Sequence, residues 1–387
     1  MTNVFKIYLL AFMSFLVGTS QFIIVGVLDQ IADSLGISVS SAGQLVSVYA
    51  LASAIGTPLV IMATSKMDQR AQLLLSLVVF IIGVFAMPLF HSYLLIVLSR
   101  IIVGVGAGVF VVTAYAMSAN LAERGKQGTA MSNIAMGFSL SLVLGVPLGR
   151  VITAMANWQA IFWLIGILSL FSFFVVAKVL PKTVGEPPIA ISEQLSFLKQ
   201  PKIMSALGIT FLFFISFSII NTYITPFLFS IRPLSEHEIS TILFALGIAS
   251  FVGSKLAGFL ADRIGITRTL LGSMSVHLVA LILLFFVAHS ILLTSLLLFI
   301  WVAASWTFGP TQSFNLASIA PKASGILLSL NSSFVQLGFA VGAGLGGITI
   351  SHLPLIALSG VGSLCTLCAI GMLLLSVKKY AHSSQML

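Results

Sequence analysis

Acidic residues are scarce in this sequence: Asp and Glu total nine of 387 residues, and charged residues of both signs make up only 7%. Soluble domains carry roughly a quarter charged residues, so a water-soluble globule is excluded. Cysteine is almost missing as well. Its two copies, Cys365 and Cys368, stand three apart without a neighbouring Cys or His to complete a metal set, so they read as apolar packing rather than a redox pair or a zinc site. What the chain has instead is hydrophobicity, 59% of its residues at a mean hydropathy of +1.16.

Apolar runs of about 20 residues, enough to cross a bilayer core, fall at 5–28, 41–64, 72–90, 93–117, 128–151, 159–180, 204–229, 237–260, 269–288, 291–315, 323–349 and 353–377. Twelve runs predict an all-α membrane protein with twelve transmembrane helices. Lys6 ahead of the first run resembles a signal peptide, but the run is long, lacks a small-residue cleavage site and is followed by eleven more, so an uncleaved first span is expected.

The net charge of +9 does not mark a nucleic-acid partner, because the cations are segregated. With the N-terminus inside, Lys6, Lys66, Arg70, Arg124, Lys126, Lys178, Lys182, Lys199, Lys202, Arg263, Arg268, Lys322, Lys378 and Lys379 all face the cytoplasm, with Lys255 near it; Arg150 and Arg232 fall outside, and Arg100 lies in the membrane. This is the positive-inside bias. Both termini are then cytoplasmic.

Small residues recur at one offset. Gly342 and Gly346 lie 197 residues beyond Gly145 and Gly149, Gly253 lies 197 beyond Gly56, and Lys379 lies 197 beyond Lys182. The chain therefore divides into a six-helix half at 1–180, a linker at 181–203 with a short surface helix at Ser192–Lys199, a second six-helix half at 204–377 and a tail at 378–387. Two such halves around a midplane site are a recurring transporter plan. Gly145, Pro147 and Gly149 in the fifth span read either as a helix-packing face or as a face that lets the halves close.

The loop after the eighth span, Gly258-Phe-Leu-Ala-Asp262-Arg263-Ile-Gly265-Ile-Thr-Arg268, resembles the loop motif of the major facilitator superfamily. Arg100-Ile-Ile-Val-Gly104-Val-Gly106-Ala-Gly108 is similar to that superfamily's fourth-helix motif, and Gly145-Val-Pro147-Leu-Gly149 to the fifth-helix motif of its drug/proton antiporters. Gly18-Thr-Ser-Gln21-Phe22, Ser41-Ala-Gly-Gln-Leu and Met136-Gly-Phe-Ser resemble the branch that exports purine bases, sugars and chloramphenicol-type compounds. The resemblance implies the major facilitator fold in a bacterial inner membrane, a role for Arg100 in proton movement or in bracing the fourth helix against the first and fifth, and a Glu where this chain has Gln21. Asp68, Arg70, Asp262, Arg263 and Arg268 read as a charged latch or as solvated loop residues obeying the positive-inside rule.

No acid stands in the middle of a span, where proton carriers usually sit. The polar and aromatic residues stranded in apolar helices are Gln21, Tyr49, Thr113, Tyr115, Asn133, Asn221, Tyr223, Trp306, Asn331 and Gln336. They are expected to line a cavity for a neutral amphipathic solute, or else to bond between helices. His277, in the ninth span, reads as a packing histidine. The expected protein is a monomeric secondary exporter of a small molecule, with protons as coupling ion, the lipid bilayer as surroundings, no nucleic-acid partner, no cofactor and no enzymatic activity. An uncoupled facilitator and a non-transporting sensor that keeps the fold are the alternatives.

Overall fold

A computed structural model describes residues 2–64, 66–123, 127–181, 196–287, 290–320 and 323–383. The expected linker and surface helix lie mostly outside the described residues. Twelve helices are long and apolar enough to cross a membrane. In chain order the elements are α1 (Asn3–Gly26), α2 (Leu28–Leu35), α3 (Val39–Ala63), α4 (Gln69–Leu89), α5 (Tyr93–Leu121), α6 (Gln127–Leu140), a π-helical turn (Ser141–Gly145), α7 (Val146–Met155), α8 (Trp158–Val179), α9 (Pro201–Asn221), α10 (Ile224–Ile231), α11 (Glu236–Ile264), α12 (Ile266–Val287), α13 (Ile291–Ile319), α14 (Ser324–His352) and α15 (Ala357–Ser383). Several starts are set by side-chain caps. The Ser38 hydroxyl, the Asp68 carboxylate and the Asn157 amide oxygen each accept from a backbone N–H in the first turn.

The fifth span is one path through the membrane but not one regular helix. Pro147 has no N–H, and its ring would press on the carbonyl four residues back. The chain answers with a wider turn, in which the Val146 N–H reaches the Ser141 carbonyl five residues behind. The first span of each half is broken too, which differs from the uninterrupted 5–28 and 204–229 read from the sequence. Helix α1 stops at Gly26 and the short α2 follows; α9 stops at Asn221 and the short α10 follows, so that Pro226 falls in a first turn where a missing donor costs nothing. These breaks repeat close to the 197 offset: 27 + 197 = 224, next to the break at 222–223.

The chain forms two compact units, residues 1–188 with 234–247, and residues 189–233 with 248–387. The boundary at 247 lies inside α11. In the first unit, α5 packs against α3 and α4, α1 against α6, the π turn and α8, and α4 against α8. In the second, α9 packs against α14 and α15, and α12 against α13 and α15. First helix with fifth and sixth, and third with fourth and sixth, is the pattern in both.

Glycine contacts repeat it at residue level. A Cβ on Gly145 would stand 2.2 Å from Thr19 Oγ1 and one on Gly149 2.3 Å from Ile23, both on α1. On Gly342 it would stand 2.5 Å from the Ile215 carbonyl oxygen and on Gly346 2.6 Å from the Tyr223 ring. Adding 197 to 19 and 23 gives 216, beside Ile215, and 220, beside Ile219, whose carbonyl oxygen would lie 3.0 Å from the same Gly346 Cβ. The pairing of Gly56 with Val105 recurs in the same way as Gly253 with Ala303.

Candidate functional site

The first unit holds a fully buried cation in mid-helix. Gly104 and Gly108 remove side chains from α5 where it meets α3; a Cβ on Gly104 would lie 2.5 Å from the Tyr49 carbonyl oxygen. That approach brings the Tyr49 ring to 4.4 Å from the Arg100 guanidinium carbon. Arg100 is 0% exposed. Its Nε donates to the Leu45 carbonyl at 3.2 Å and its Nη1 to the Ser20 carbonyl at 3.1 Å, while Nη2 has no partner. The brace therefore runs to the first and second spans, not to the first and fifth. Among the described residues no carboxylate pairs with this charge.

In front of Arg100, the Tyr49 hydroxyl donates to Gln21 Oε1 at 3.2 Å, and Gln21 is partly exposed. Arg100, Tyr49 and Gln21 thus form one connected set from three helices. Tyr115 and Asn133 are also partly exposed, whereas Thr113 is buried within hydrogen-bonding distance of Gln72 Oε1 and the Val109 carbonyl. In the second unit Asn221, Trp306 and Gln336 are partly exposed. Asn331 is buried, accepting from Thr210 Oγ1 at 2.8 Å, with Gln312 donating to the Ala206 carbonyl alongside. Tyr223 is fully buried, and its hydroxyl donates to the Ala343 carbonyl.

The charged loops hold no ion pair among the described residues. Asp68 caps α4, and Arg70 donates to the Ala177 carbonyl near the end of α8. That places a cation at a helix C-terminus, where the backbone dipole favours it. Asp262 and Arg268 are exposed, and Arg263 lies over the Phe259 ring. Gly265 takes a φ of +87°, which lets the chain turn directly from α11 into α12.

The sequence profile of the Major Facilitator Superfamily matches residues 10–343 and 206–385. The chain belongs to the major facilitator superfamily. It is 42% identical over 370 residues to "Uncharacterized MFS-type transporter YbcL" of Bacillus subtilis (strain 168), covering 96% of this chain and 95% of that one. It is 29% identical over 345 residues to "Inner membrane transport protein YdhP" of Escherichia coli (strain K12), covering 88% of each. Among solved structures, the nucleoside transporter NupG matches with a TM-score of 0.76 at 14% identity over 97% of this chain and 100% of that one. The human organic anion transporter MFSD10 (TETRAN) matches with a TM-score of 0.71 at 16% identity, over 96% and 99%.

Two polar clusters of this superfamily member lie apart from the residues expected to line a cavity. His277 is buried in the second unit, with Nδ1 2.9 Å from Ser305 Oγ and Nε2 accepting from Trp301 Nε1 at 3.2 Å. The indole can only donate, so Nε2 is the bare nitrogen and Nδ1 carries the proton of a neutral ring. Ser216, bonded to the Gly362 carbonyl, closes the set. This satisfied network matches a packing histidine.

The second cluster centres on Arg150, which the charge bias alone would leave in an outer loop. Its side chain is 0% exposed. Nη1 donates to Asp29 Oδ1 at 2.6 Å and the Gly26 carbonyl at 2.9 Å; Nη2 donates to Asp29 Oδ2 at 2.9 Å and Glu236 Oε1 at 3.0 Å; Nε donates to Glu236 Oε2 at 2.6 Å. Both carboxylates stand in the first turn of a helix, Asp29 on α2 and Glu236 on α11. Those positions suit anions. Ser235 and Glu238 form a capping box that fixes where α11 begins. The partners lie 121 and 86 residues from Arg150 in sequence, so no local pattern announces them.

Proposed function

We propose that this transporter is a proton-coupled exporter of small uncharged amphipathic compounds, such as an amphenicol-type antibiotic, a purine base or a nucleoside, working by alternating access of its two halves. The observation that carries this reading is the uncharged Gln21–Tyr49 pair in front of Arg100, in a chain whose described spans hold no carboxylate at mid-depth. Partly exposed amides and rings, Gln21, Tyr115, Asn133, Asn221, Trp306 and Gln336, suit a solute whose edges accept hydrogen bonds and whose faces stack. A permanently cationic drug would lose its hydration with no fixed negative charge to replace it. Export and proton coupling rest on the resemblance of Gly145 to Gly149 to the antiporters' fifth-helix motif.

The test is uptake into everted membrane vesicles energised to an acid interior. Labelled chloramphenicol, adenine or adenosine is expected to accumulate and to leak out on addition of a protonophore, while tetraphenylphosphonium is not taken up. Failure of every neutral compound to respond to the pH gradient would reject the reading. Gln21 favours a second version, an uncoupled facilitator, because an amide cannot titrate. Gln21→Glu should then impose pH dependence on transport, and a parent protein already steeply pH-dependent would rule this version out.

A further inference from the structure

We infer that Asp29, Arg150 and Glu236 form an acid-released latch, which holds the first turns of α11 against the rest of the first unit and lets go when Glu236 takes up a proton. The stoichiometry is one guanidinium to two carboxylates, so the cluster carries a net charge of −1 with both acids ionised. Asp29 is gripped through two guanidinium nitrogens and its side chain is 20% exposed; Glu236 is gripped through two as well, but its side chain is 47% exposed. Glu236 is therefore the more water-accessible of the two acids. A proton on Glu236 turns one acceptor oxygen into a hydroxyl and ends its two-point hold on Nε and Nη2. It leaves Arg150 and Asp29 as a neutral pair, with the Gly26 carbonyl still engaged.

The segment so released is short. Residues 236–247 of α11 belong to the first unit, and the same helix runs on through residues 248–264 of the second. Its other contacts to the first unit include Gly247, where a Cβ would stand 2.5 Å from Val143 Cα, and Leu243 beside Gly26. The other titratable or charged groups on the first unit's elements at this end are Asp33 on α2, His237 and Glu238 on α11, and His91 and Tyr93 at the start of α5. Glu238 is engaged by the Ser235 cap, and the Tyr93 hydroxyl donates to the Ser41 carbonyl. The ends of α1, α7 and α8 near the cluster add no charge besides Arg150. By the cation bias this end of the unit faces outside, the acidic side of an energised membrane, so the device makes outward release of α11 depend on external acid.

The experiment measures a distance inside the first unit. Met155→Cys on α7 and Thr241→Cys on α11, both exposed positions, are spin-labelled in a chain with Cys365→Ser and Cys368→Ser and reconstituted in nanodiscs. Double electron–electron resonance is recorded from about pH 8 to about pH 4, a range that spans carboxylate titration. The latch predicts a short-distance population at high pH and a second, longer one on acidification. Glu236→Gln should show the longer population at every pH and lose the acid response. Asp29→Asn, which leaves one carboxylate to one guanidinium, should keep the response but move its midpoint to lower pH. A distance that does not change with pH in the otherwise unaltered chain overturns the inference, and so does an acid response that survives Glu236→Gln. None of these readouts involves a substrate, so they stand apart from the transport assays.

Discussion

At the scale of single residues, the question is whether Arg100 holds the fold or serves transport. The two carbonyls it touches, Ser20 and Leu45, sit inside helices where backbone N–H groups already use them. Its own Nη2 is unsatisfied and no acid offsets its charge. Exchanging such a buried ion for an apolar side chain of similar length is commonly neutral or stabilising by about 1–4 kcal/mol. Arg100→Met is therefore expected to leave the melting temperature unchanged or raised, while transport falls by about tenfold or more, as befits a functional intramembrane charge. Arg100→Lys keeps the charge but loses the planar stack on Tyr49 and should also transport poorly. A melting temperature lowered by several degrees in Arg100→Met, with transport per folded molecule intact, would make Arg100 a structural brace. Arg100 was legible because an ionised group interrupts an apolar run. Arg150 was not, because it lies one turn from the end of its helix, where a cation is unremarkable and its two partners are remote in sequence.

At the scale of elements, the contacts that join the first and fifth helices of each unit differ in what a new methyl group would strike. Overpacking a close interface costs about 1–3 kcal/mol when nothing can move aside. At Gly145 the obstacle is a side chain, Thr19 Oγ1, so Gly145→Ala should destabilise and Thr19→Ala should restore much of the loss, leaving only the residue-19 Cβ at 3.0 Å. At Gly137 the obstacle is the Ala11 carbonyl oxygen at 2.2 Å, and at Gly342 the Ile215 carbonyl oxygen at 2.5 Å. Backbone cannot be trimmed. Gly137→Ala paired with Ser14→Ala, and Gly342→Ala paired with Ser218→Ala, should therefore melt as low as the glycine variants alone. Thermal melts of the six proteins decide it, and equal rescue at all three glycines would mean that the helices simply slide apart. The small-residue repeat was plain in the sequence, but the π turn and the broken first helices were not. A hydropathy run records apolar length, whereas Pro147 and Pro226 act through individual backbone hydrogen bonds.

At the scale of the molecule, the count of twelve spans and the 197-residue duplication were legible because each rests on many residues at once. The groups that the spans bring together were less so: Gln312, His277 and Arg150 find partners on other helices, and one-dimensional spacing carries no sign of which polar residue turns inward. Orientation is the property that summed charge should decide. Fourteen cations, from Lys6 through Arg70, Lys199, Arg268 and Lys379, fall on one side, and only Arg150 and Arg232 on the other. Carrying a single cation outward against an inside-negative potential costs about 2.3 kcal/mol per 100 mV, so the inverted arrangement is opposed many times over. Arg150, moreover, is held by two carboxylates and adds little to the outer count. A green fluorescent protein joined after Leu387 is thus expected to fluoresce, and alkaline phosphatase at the same point to be inactive. Phosphatase joined after Ser235, beyond seven spans, should be active, and joined after Lys199, beyond six, should not. The opposite pattern, or phosphatase activity at both internal points, would mean that the cation bias does not set how this chain is inserted.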